Sequence, residues 1–204
     1  MTSPPPQPAP PCLVVVQLPD GTPIGLRPVI PEDREAIRTG FREMSQTSRH
    51  MRFFVAGQEM SETQARYFTE IDQVNHVAVC AIEPVEAKRG YGIARFVRDP
   101  VRTESAEFAI AVIDEMQRRG IGTVLLAALY LKARARGVKV LYGEFMASNP
   151  VMPHWLPKLG AEILSGEDST YRVARWPIDR EIKGKSPAPE RFLQWLGRLQ
   201  NLKV

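Results

Sequence analysis

Cysteine, histidine and long apolar runs are all scarce in this 204-residue sequence, and their scarcity rules out several kinds of protein. Two cysteines, Cys12 and Cys80, are too few for the disulfide framework of a small secreted domain, so we expect a cytoplasmic location. No apolar run approaches the roughly 20 residues of a membrane span, and the N-terminus lacks the basic start and apolar core of a secretory signal. The three histidines are scattered, with no second ligand at metal-binding spacing nearby, so we predict no metal site.

Net charge is small as well. The sequence has 27 basic and 23 acidic residues, which gives a formal net charge of +4. That excess suits an anionic cofactor but is too weak to argue for nucleic acid, and we predict neither a nucleic-acid partner nor a membrane partner. Hydrophobic residues make up 44% and charged residues 25%, which is usual for a globular chain long enough to bury a core.

Proline, in contrast, is abundant at the start of the chain. Residues 1–11 contain six prolines and predict a disordered or polyproline-like tail. Residues 12–178 then read as one folded domain. Residues 179–204 read as a linker followed by an amphipathic helix, whose apolar face carries Phe192, Trp195, Leu196 and Leu199. This helix could contact a partner or a second copy of the chain, lie on a membrane surface, or pack back on its own domain.

Hydrophobic periodicity in the domain indicates a hairpin, two helices, three strands, a helix, a strand, a helix and two strands. The hairpin turns at Pro19-Asp20-Gly21, and Ser61-Glu62-Thr63-Gln64 is a capping box that opens the second helix. Between the two helices, residues 48–54 mix bases with aromatics, so they either line a cleft or end a helix with two phenylalanines in the core, which we favour. The order predicts a mixed α+β domain with a mostly antiparallel sheet, one βαβ crossover and helices on both faces.

The segment from Gln117 to Thr123, Q-R-R-G-I-G-T, joins the apolar strand 106–113 to an apolar helix. Its two glycines let the backbone approach a ligand closely, and a helix N-terminus with basic neighbours suits a phosphate. A glycine-rich turn that merely ends a strand would look similar. The segment is neither a Rossmann fingerprint, because Leu125 stands where a third glycine is needed, nor a Walker loop, because no lysine follows Gly122.

With its Gln, both glycines and the preceding strand, this loop resembles motif A, the acyl-CoA loop of the GCN5-related N-acetyltransferases (the GNAT family). The order of elements across residues 24–178 also resembles the GNAT fold, in which the sheet splays apart at the cofactor site. The resemblance implies acetyl-CoA as co-substrate, with its pyrophosphate on the loop and its pantetheine arm on the preceding strand. The implied cofactor-binding residues are Gln117, Arg118, Arg119, Gly120, Ile121, Gly122 and Thr123 in the loop, and the backbone groups of Ile110, Ala111 and Val112 in the strand.

Glu107 is a charged residue inside the otherwise apolar run Ala106-Glu107-Phe108-Ala109-Ile110. It could simply face solvent on a half-buried strand. In the protein-lysine branch of the family, a glutamate within A-E-x-A is the general base, so the resemblance implies that Glu107 removes the proton from the acceptor amine. Asp114 and Glu115 are weaker candidates, because we expect them past the end of the strand.

Many family members carry the pattern N-x-x-A-x-x-x-Y, whose tyrosine protonates the leaving thiolate. Asn149 fits the asparagine and is a plausible contact to the pantetheine arm, but Met152 replaces the alanine and Leu156 replaces the tyrosine. Leucine cannot donate a proton. Water, a backbone N–H or His154 could serve instead.

Two further segments, R-P-V-I-P-E-D-R-E-A-I-R and M-S-Q-T-S-R-H-M-R-F-F, resemble the bacterial Pat-type protein lysine acetyltransferases. That branch implies a lysine on another protein as the acceptor. One alternative is an acetyltransferase for a small amine. The other, of a different class, is a non-catalytic acyl-CoA-binding sensor or scaffold.

Overall fold

The computed structural model describes residues 13–53, 57–166, 168–182 and 186–202. The predicted proline-rich tail, Phe54 and the three residues Lys183 to Lys185 of the predicted linker lie outside these ranges. Eight strands form one sheet within the described residues: β1 Val14–Gln17, β2 Pro23–Pro28, β3 His76–Ile82, β4 Gly90–Arg98, β5 Ser105–Val112, β6 Val140–Met146, β7 Glu162–Ser165 and β8 Tyr171–Pro177. The α-helices are α1 Arg34–Glu43, α2 Gln46–Phe53, α3 Glu62–Thr69, α4 Ile121–Ala135, α5 Met152–Trp155 and α6 Pro187–Asn201.

The strand order is β1-β2-β3-β4-β5-β6-β8-β7, and every neighbouring pair is antiparallel except β5 and β6. This parallel pair is joined through α4, as the predicted βαβ crossover requires. The paired part of β5 and β6 is very short. Residues 105–107 pair with residues 140–142, and the two strands then diverge. The mixed, mostly antiparallel sheet and its splay are therefore as the sequence predicted.

Helices cover both faces of the sheet. On one face α4 packs against β3, β4 and β5, and Leu125, Leu126 and Leu129 are fully buried there, which explains why this helix is apolar on most sides. On the other face α1, α2 and α3 pack around Phe53, whose ring lies 5.1 Å from that of Phe41 and 5.9 Å from that of Phe68.

The predicted capping box at the start of α3 is confirmed. The Ser61 hydroxyl accepts a hydrogen bond from the Gln64 N–H at 3.2 Å, and the Gln64 side chain accepts one from the Ser61 N–H at 2.9 Å. The prediction of only two helices before β3 was wrong, because the backbone is extended at Met44 and α2 begins as a separate helix. Ser45 caps that helix, since its hydroxyl accepts from the Ser48 N–H at 3.1 Å.

The C-terminal helix α6 packs on its own domain, against α4. Phe192, Trp195 and Leu199 are buried, and the Phe192 ring lies 5.7 Å from Tyr130 and 5.6 Å from Trp176. The apolar face that could have served a partner or a second copy is thus already covered, so that use of it is not supported. Within the described ranges, none of the helices has the length and apolarity needed to cross a bilayer.

Candidate active site

The divergence of β5 and β6 opens a cleft of about 640 Å³. The walls of the cleft come from both diverging strands, the 117–123 loop, α2, the α5 region and the start of α6. Its main lining residues are Ser48, Met51, Arg52, Phe108 to Val112, Gln117, Arg118, Gly120, Gly122, Thr123, Gly143 to Phe145, Asn149, His154, Trp155, Lys158, Ala188 and Arg191. The gap predicted from the resemblance is therefore present.

The N-terminus of α4 points its amides at this cleft. Gly120 precedes the helix with φ +98°, a conformation that favours glycine, and no side chain in the described ranges caps the helix. The N–H groups of Thr123 and Val124 donate to the Gly120 carbonyl. The N–H groups of Ile121 and Gly122, in the first turn of the helix, have no acceptor within the helix. Free amides at the positive end of a helix form an anion site.

The two arginines of the loop have different environments. Arg118 lines the cleft, has φ +59° and has no carboxylate within ion-pair distance among the described residues. Arg119 turns away, pairs with Asp20 at 2.8 Å and donates to the Thr22 hydroxyl, so it holds the β1–β2 hairpin. Hydrogen bonds from Thr22 and then from Arg119 lower the pKa of Asp20 to about 2.

The residues predicted to bind the cofactor in the 117–123 loop therefore fall into two groups. Gln117, Arg118, Gly120, Gly122 and Thr123 line the cleft, whereas Ile121 is 1% exposed, so its side chain belongs to the core and only its backbone N–H faces the helix end. Together with the turned-away Arg119, this means that the loop offers backbone amides and one cation to a ligand.

The backbone of β5 presents an open edge to the cleft. Ile113 donates its N–H to the Tyr91 carbonyl at 3.0 Å, so alternation along the strand turns the amide and carbonyl of Ala111 toward β4 as well. Those of Ile110 and Val112 face the gap, where the Val112 carbonyl accepts from the Gln117 side chain at 3.1 Å. The predicted backbone role thus fits Ile110 and Val112, and is corrected for Ala111.

Glu107 lies at the vertex of the splay. It occupies the last position at which β5 and β6 pair, opposite Tyr142, and its side chain is exposed. It directly precedes Phe108, where the cleft lining begins, and alternation places it on the opposite sheet face from Phe108. Desolvation by burial raises the pKa of Tyr142, and the negative charges of Asp99 and Glu107 act in the same direction.

The two weaker acidic candidates have structural partners. Both lie past the end of β5, as expected. Asp114 accepts hydrogen bonds from the Ser45 N–H at 3.0 Å and from the hydroxyl of Ser48 at 2.9 Å, which ties α2 to the loop after β5. Glu115 pairs with Arg89 at 2.7 Å on the surface.

Residues 48–54 serve both predicted purposes, apart from Phe54, which lies outside the described ranges. Phe53 packs in the core, whereas Ser48, Met51 and Arg52 line the cleft. The Nε atom of Arg52 is buried with no hydrogen-bond partner among the described residues. Burial lowers the pKa of Arg52 to about 9, the nearby charge of Arg95 acts in the same direction, and Glu107 opposes them. The alternating bases and aromatics were the sequence signal for this wall.

The expected tyrosine position is a core position in this protein. Leu156 is 1% exposed, whereas His154 is exposed and lines the cleft. The Asn149 side-chain oxygen accepts from the N–H groups of Val151 and Met152 at 2.9 and 3.0 Å, so this residue shapes the start of α5. Its position in the cleft wall agrees with the predicted contact to a ligand arm.

Cys80, the cysteine within the described residues, does not fit a nucleophilic role at this site. Burial raises the pKa of Cys80 to about 12, and this thiol lies on β3, away from the cleft lining. The described ranges contain no cluster of three or more His, Cys, Asp and Glu residues that could hold a metal ion. The cleft combines an anion site with an open strand edge, and the Glu107 carboxylate lies just outside its lining, next to Phe108. This arrangement fits a phosphorylated cofactor with an extended amide-bearing arm.

Comparison with known proteins gives consistent matches. Residues 41–161 match the model of the Acetyltransferase (GNAT) family. Acetyltransferase Pat of Mycolicibacterium smegmatis is 32% identical over 152 residues, which cover 72% of this chain and 44% of that protein. Acetyltransferase PA5475 of Pseudomonas aeruginosa is 30% identical over 139 residues, which cover 68% of this chain and 74% of that protein.

Among solved structures, the GNAT domain of S. lividans PAT superposes with a TM-score of 0.74 at 23% identity, covering 81% of this chain and 96% of that domain. This likeness confirms the predicted fold. The chain spans less than half the length of the M. smegmatis Pat protein, for which the aligned part is 44%.

Proposed function

The chain belongs to the GNAT family of acetyltransferases, and we propose that it moves an acetyl group from acetyl-CoA to the side-chain amine of a lysine in another protein, with Glu107 as general base. The observation that carries this proposal is the exposed carboxylate of Glu107 at the vertex of the β5–β6 splay. The resemblance to the Pat-type branch implies a protein lysine, and the 32% identity to Acetyltransferase Pat of Mycolicibacterium smegmatis supports that choice. We infer a cytoplasmic location from the scarcity of cysteine.

Deprotonation is the demanding step in this reaction. A free lysine has a pKa of about 10.4, so presenting its neutral amine at pH 7 costs roughly 4–5 kcal/mol. Glu107 lies next to the cleft lining and accepts that proton, directly or through a water molecule. The neutral amine nitrogen then forms a bond to the thioester carbonyl carbon, the carbon–sulfur bond breaks, and the nitrogen releases its second proton to water as the amide forms.

The other residues of the site bind acetyl-CoA and orient its thioester. The amides at the α4 N-terminus and Arg118 hold the pyrophosphate, and the open β5 edge at Ile110 and Val112 pairs with the amides of the pantetheine arm. The released thiolate takes up a proton from water or from His154, and a backbone N–H can stabilise it by donating a hydrogen bond. Among the described residues of α5, His154 is the titratable side chain that lines the cleft.

The base assignment is tested with Glu107→Gln in the full chain. We expect kcat to fall by about 10²- to 10⁴-fold while the Kd of acetyl-CoA stays unchanged. The matched control is Glu144→Gln, which removes an exposed carboxylate from the facing wall of the same cleft. An unchanged kcat in Glu107→Gln, or a larger loss in Glu144→Gln, contradicts the assignment.

The acceptor is tested by mass spectrometry of candidate proteins and of a panel of small amines after incubation with acetyl-CoA. Acetylated protein lysines are the expected product, and modification of free amines alone would mean a small-molecule acetyltransferase. The missing tyrosine favours a third outcome, an acyl-CoA sensor, which would bind acetyl-CoA in calorimetry without turnover on any amine.

A further inference from the structure

The C-terminal helix contributes to the cleft although it lies beyond the part of the chain that matches the family model, which ends at residue 161. Ala188 and Arg191, in the first two turns of α6, line the cleft. The helix is held rigidly in place, because Phe192 is fully buried next to Arg191 and Trp195 is buried one turn later. Arg191 is therefore a built part of the cleft wall and does not belong to a loose tail.

Two cations at this end of the cleft have no acidic partner. Neither Arg191 nor Lys158 lies within ion-pair distance of a carboxylate in the described ranges. The Arg191 Nε donates to the Pro187 carbonyl at 3.1 Å, which fixes the start of the side chain and leaves both terminal nitrogens for a ligand. Some other surface arginines are paired, as Arg175 is with Glu162 at 3.3 Å.

The cleft lining has more positively charged side chains than the binding of a pyrophosphate requires. Among the described lining residues Glu144 is the one carboxylate, whereas Arg52, Arg118, Lys158 and Arg191 are cations. The α4 N-terminus and Arg118 account for the pyrophosphate, and Arg52 lies on the α2 wall. Lys158 and Arg191 remain, at the wall that the α5 region and α6 share.

Coenzyme A carries a third phosphate, on the 3′-oxygen of its ribose, in addition to its pyrophosphate. We propose that Lys158 and Arg191 form the site that binds this 3′-phosphate, so that α6 is part of the cofactor site. This inference rests on the proposed use of acetyl-CoA. An arginine presents a fork of N–H donors that matches a phosphate group, and a lysine adds a point charge.

The test compares acetyl-CoA with 3′-dephospho-acetyl-CoA by titration calorimetry on the full chain. We expect the unmodified protein to bind acetyl-CoA about three- to tenfold more tightly, the range for partly exposed charge-assisted contacts. Arg191→Gln and Lys158→Gln should each reduce that preference while leaving the Kd of the dephosphorylated ligand unchanged. The control is Arg198→Gln, an exposed arginine of the same helix that stacks on Trp195 at 4.4 Å and is not among the cleft residues.

Each other result overturns the proposal. Equal affinity for the two ligands in the unmodified protein would mean that the 3′-phosphate is not recognised. A preference that persists in both variants would place its site elsewhere, and an equal loss for both ligands would make the side chains structural. Thermal unfolding of each variant detects a folding defect. The Arg191→Lys variant keeps the positive charge and should therefore keep most of the preference for acetyl-CoA over its dephosphorylated form. Failure of the unmodified protein to bind acetyl-CoA at all would overturn the proposed function together with this inference.

Discussion

Replacing Gly122 with alanine should separate cofactor binding from folding. A Cβ at this position would meet the Ile110 Cδ1 and the Trp155 Cη2 at 3.8 Å each, which is ordinary van der Waals contact. Alanine also has a better helix propensity than glycine by about 1 kcal/mol. We therefore expect the free energy of unfolding of Gly122→Ala to equal or exceed that of the unmodified protein by up to about 1 kcal/mol.

Binding should respond in the opposite direction. The new methyl group would stand in the cleft beside the free amides of the α4 N-terminus, where the pyrophosphate needs close approach. Loss of one charge-assisted hydrogen bond costs about 1.5–3 kcal/mol, which corresponds to an acetyl-CoA Kd about 10- to 100-fold higher. Calorimetry measures this Kd, and urea unfolding measures stability.

Gly120→Ala is the matched comparison. Its φ of +98° is a conformation that alanine adopts only with strain, so this variant should lose about 1–3 kcal/mol of stability. If Gly122→Ala binds acetyl-CoA within twofold of the unmodified protein, the phosphates do not lie over this helix end and the reasoning is refuted.

Two further predictions concern stability. Burial is the main cause that lowers the pKa of His76 from 6.5 to about 4, so between these pH values the unfolded chain binds a proton that the folded chain does not, and stability falls as pH falls. Because the ring is partly exposed, we expect the free energy of unfolding to fall by only about 1–2 kcal/mol across this window. In His76→Gln, the free energy of unfolding measured in urea should depend less on pH. An equally steep pH dependence in the variant would contradict this explanation. Asp33→Asn should cost about 3–5 kcal/mol, since it leaves Arg27 buried without its 2.5 Å ion-pair partner, whereas Glu162→Gln at the exposed Arg175 pair should cost under about 1 kcal/mol. Equal losses would refute the burial argument.

Most of the fold could be predicted from local patterns in the sequence. Turn chemistry at Pro19 to Gly21 and the capping box at Ser61 both act within a few residues, and the structure has each of them as predicted. The motif around Gly120 and Gly122 placed the cleft for the same reason: strand, loop and helix follow one another directly.

Long-range contacts account for what the sequence could not supply. Arg119 was predicted to serve the cofactor, but it is paired with Asp20, 99 residues away, and no local pattern indicates that. The break before α2 depends on the bond from Ser45 to Asp114 across 69 residues. Arg191 lies on the polar side of α6, and the periodicity of this helix does not indicate that it packs on α4 and places Arg191 at the cleft.

The splay of the sheet also has a mechanical consequence. In the described part of the chain, the strands β1 to β5 pair with the strands β6 to β8 only through residues 105–107 and 140–142, and the Lys139 N–H adds a bond to the Glu104 carbonyl beside this pairing. The sheet is therefore joined most weakly at the level of Glu107. α4 bridges this junction on one face, and α6 connects α4 to Trp176 on the smaller half. Under the mechanism proposed above, a ligand arm that pairs with β5 would lie between the two halves, and the opening angle would set the distance from Glu107 to the thioester. That mechanism therefore predicts that changes in the packing of α6, which contacts α4 and Trp176, will alter catalysis through the opening angle.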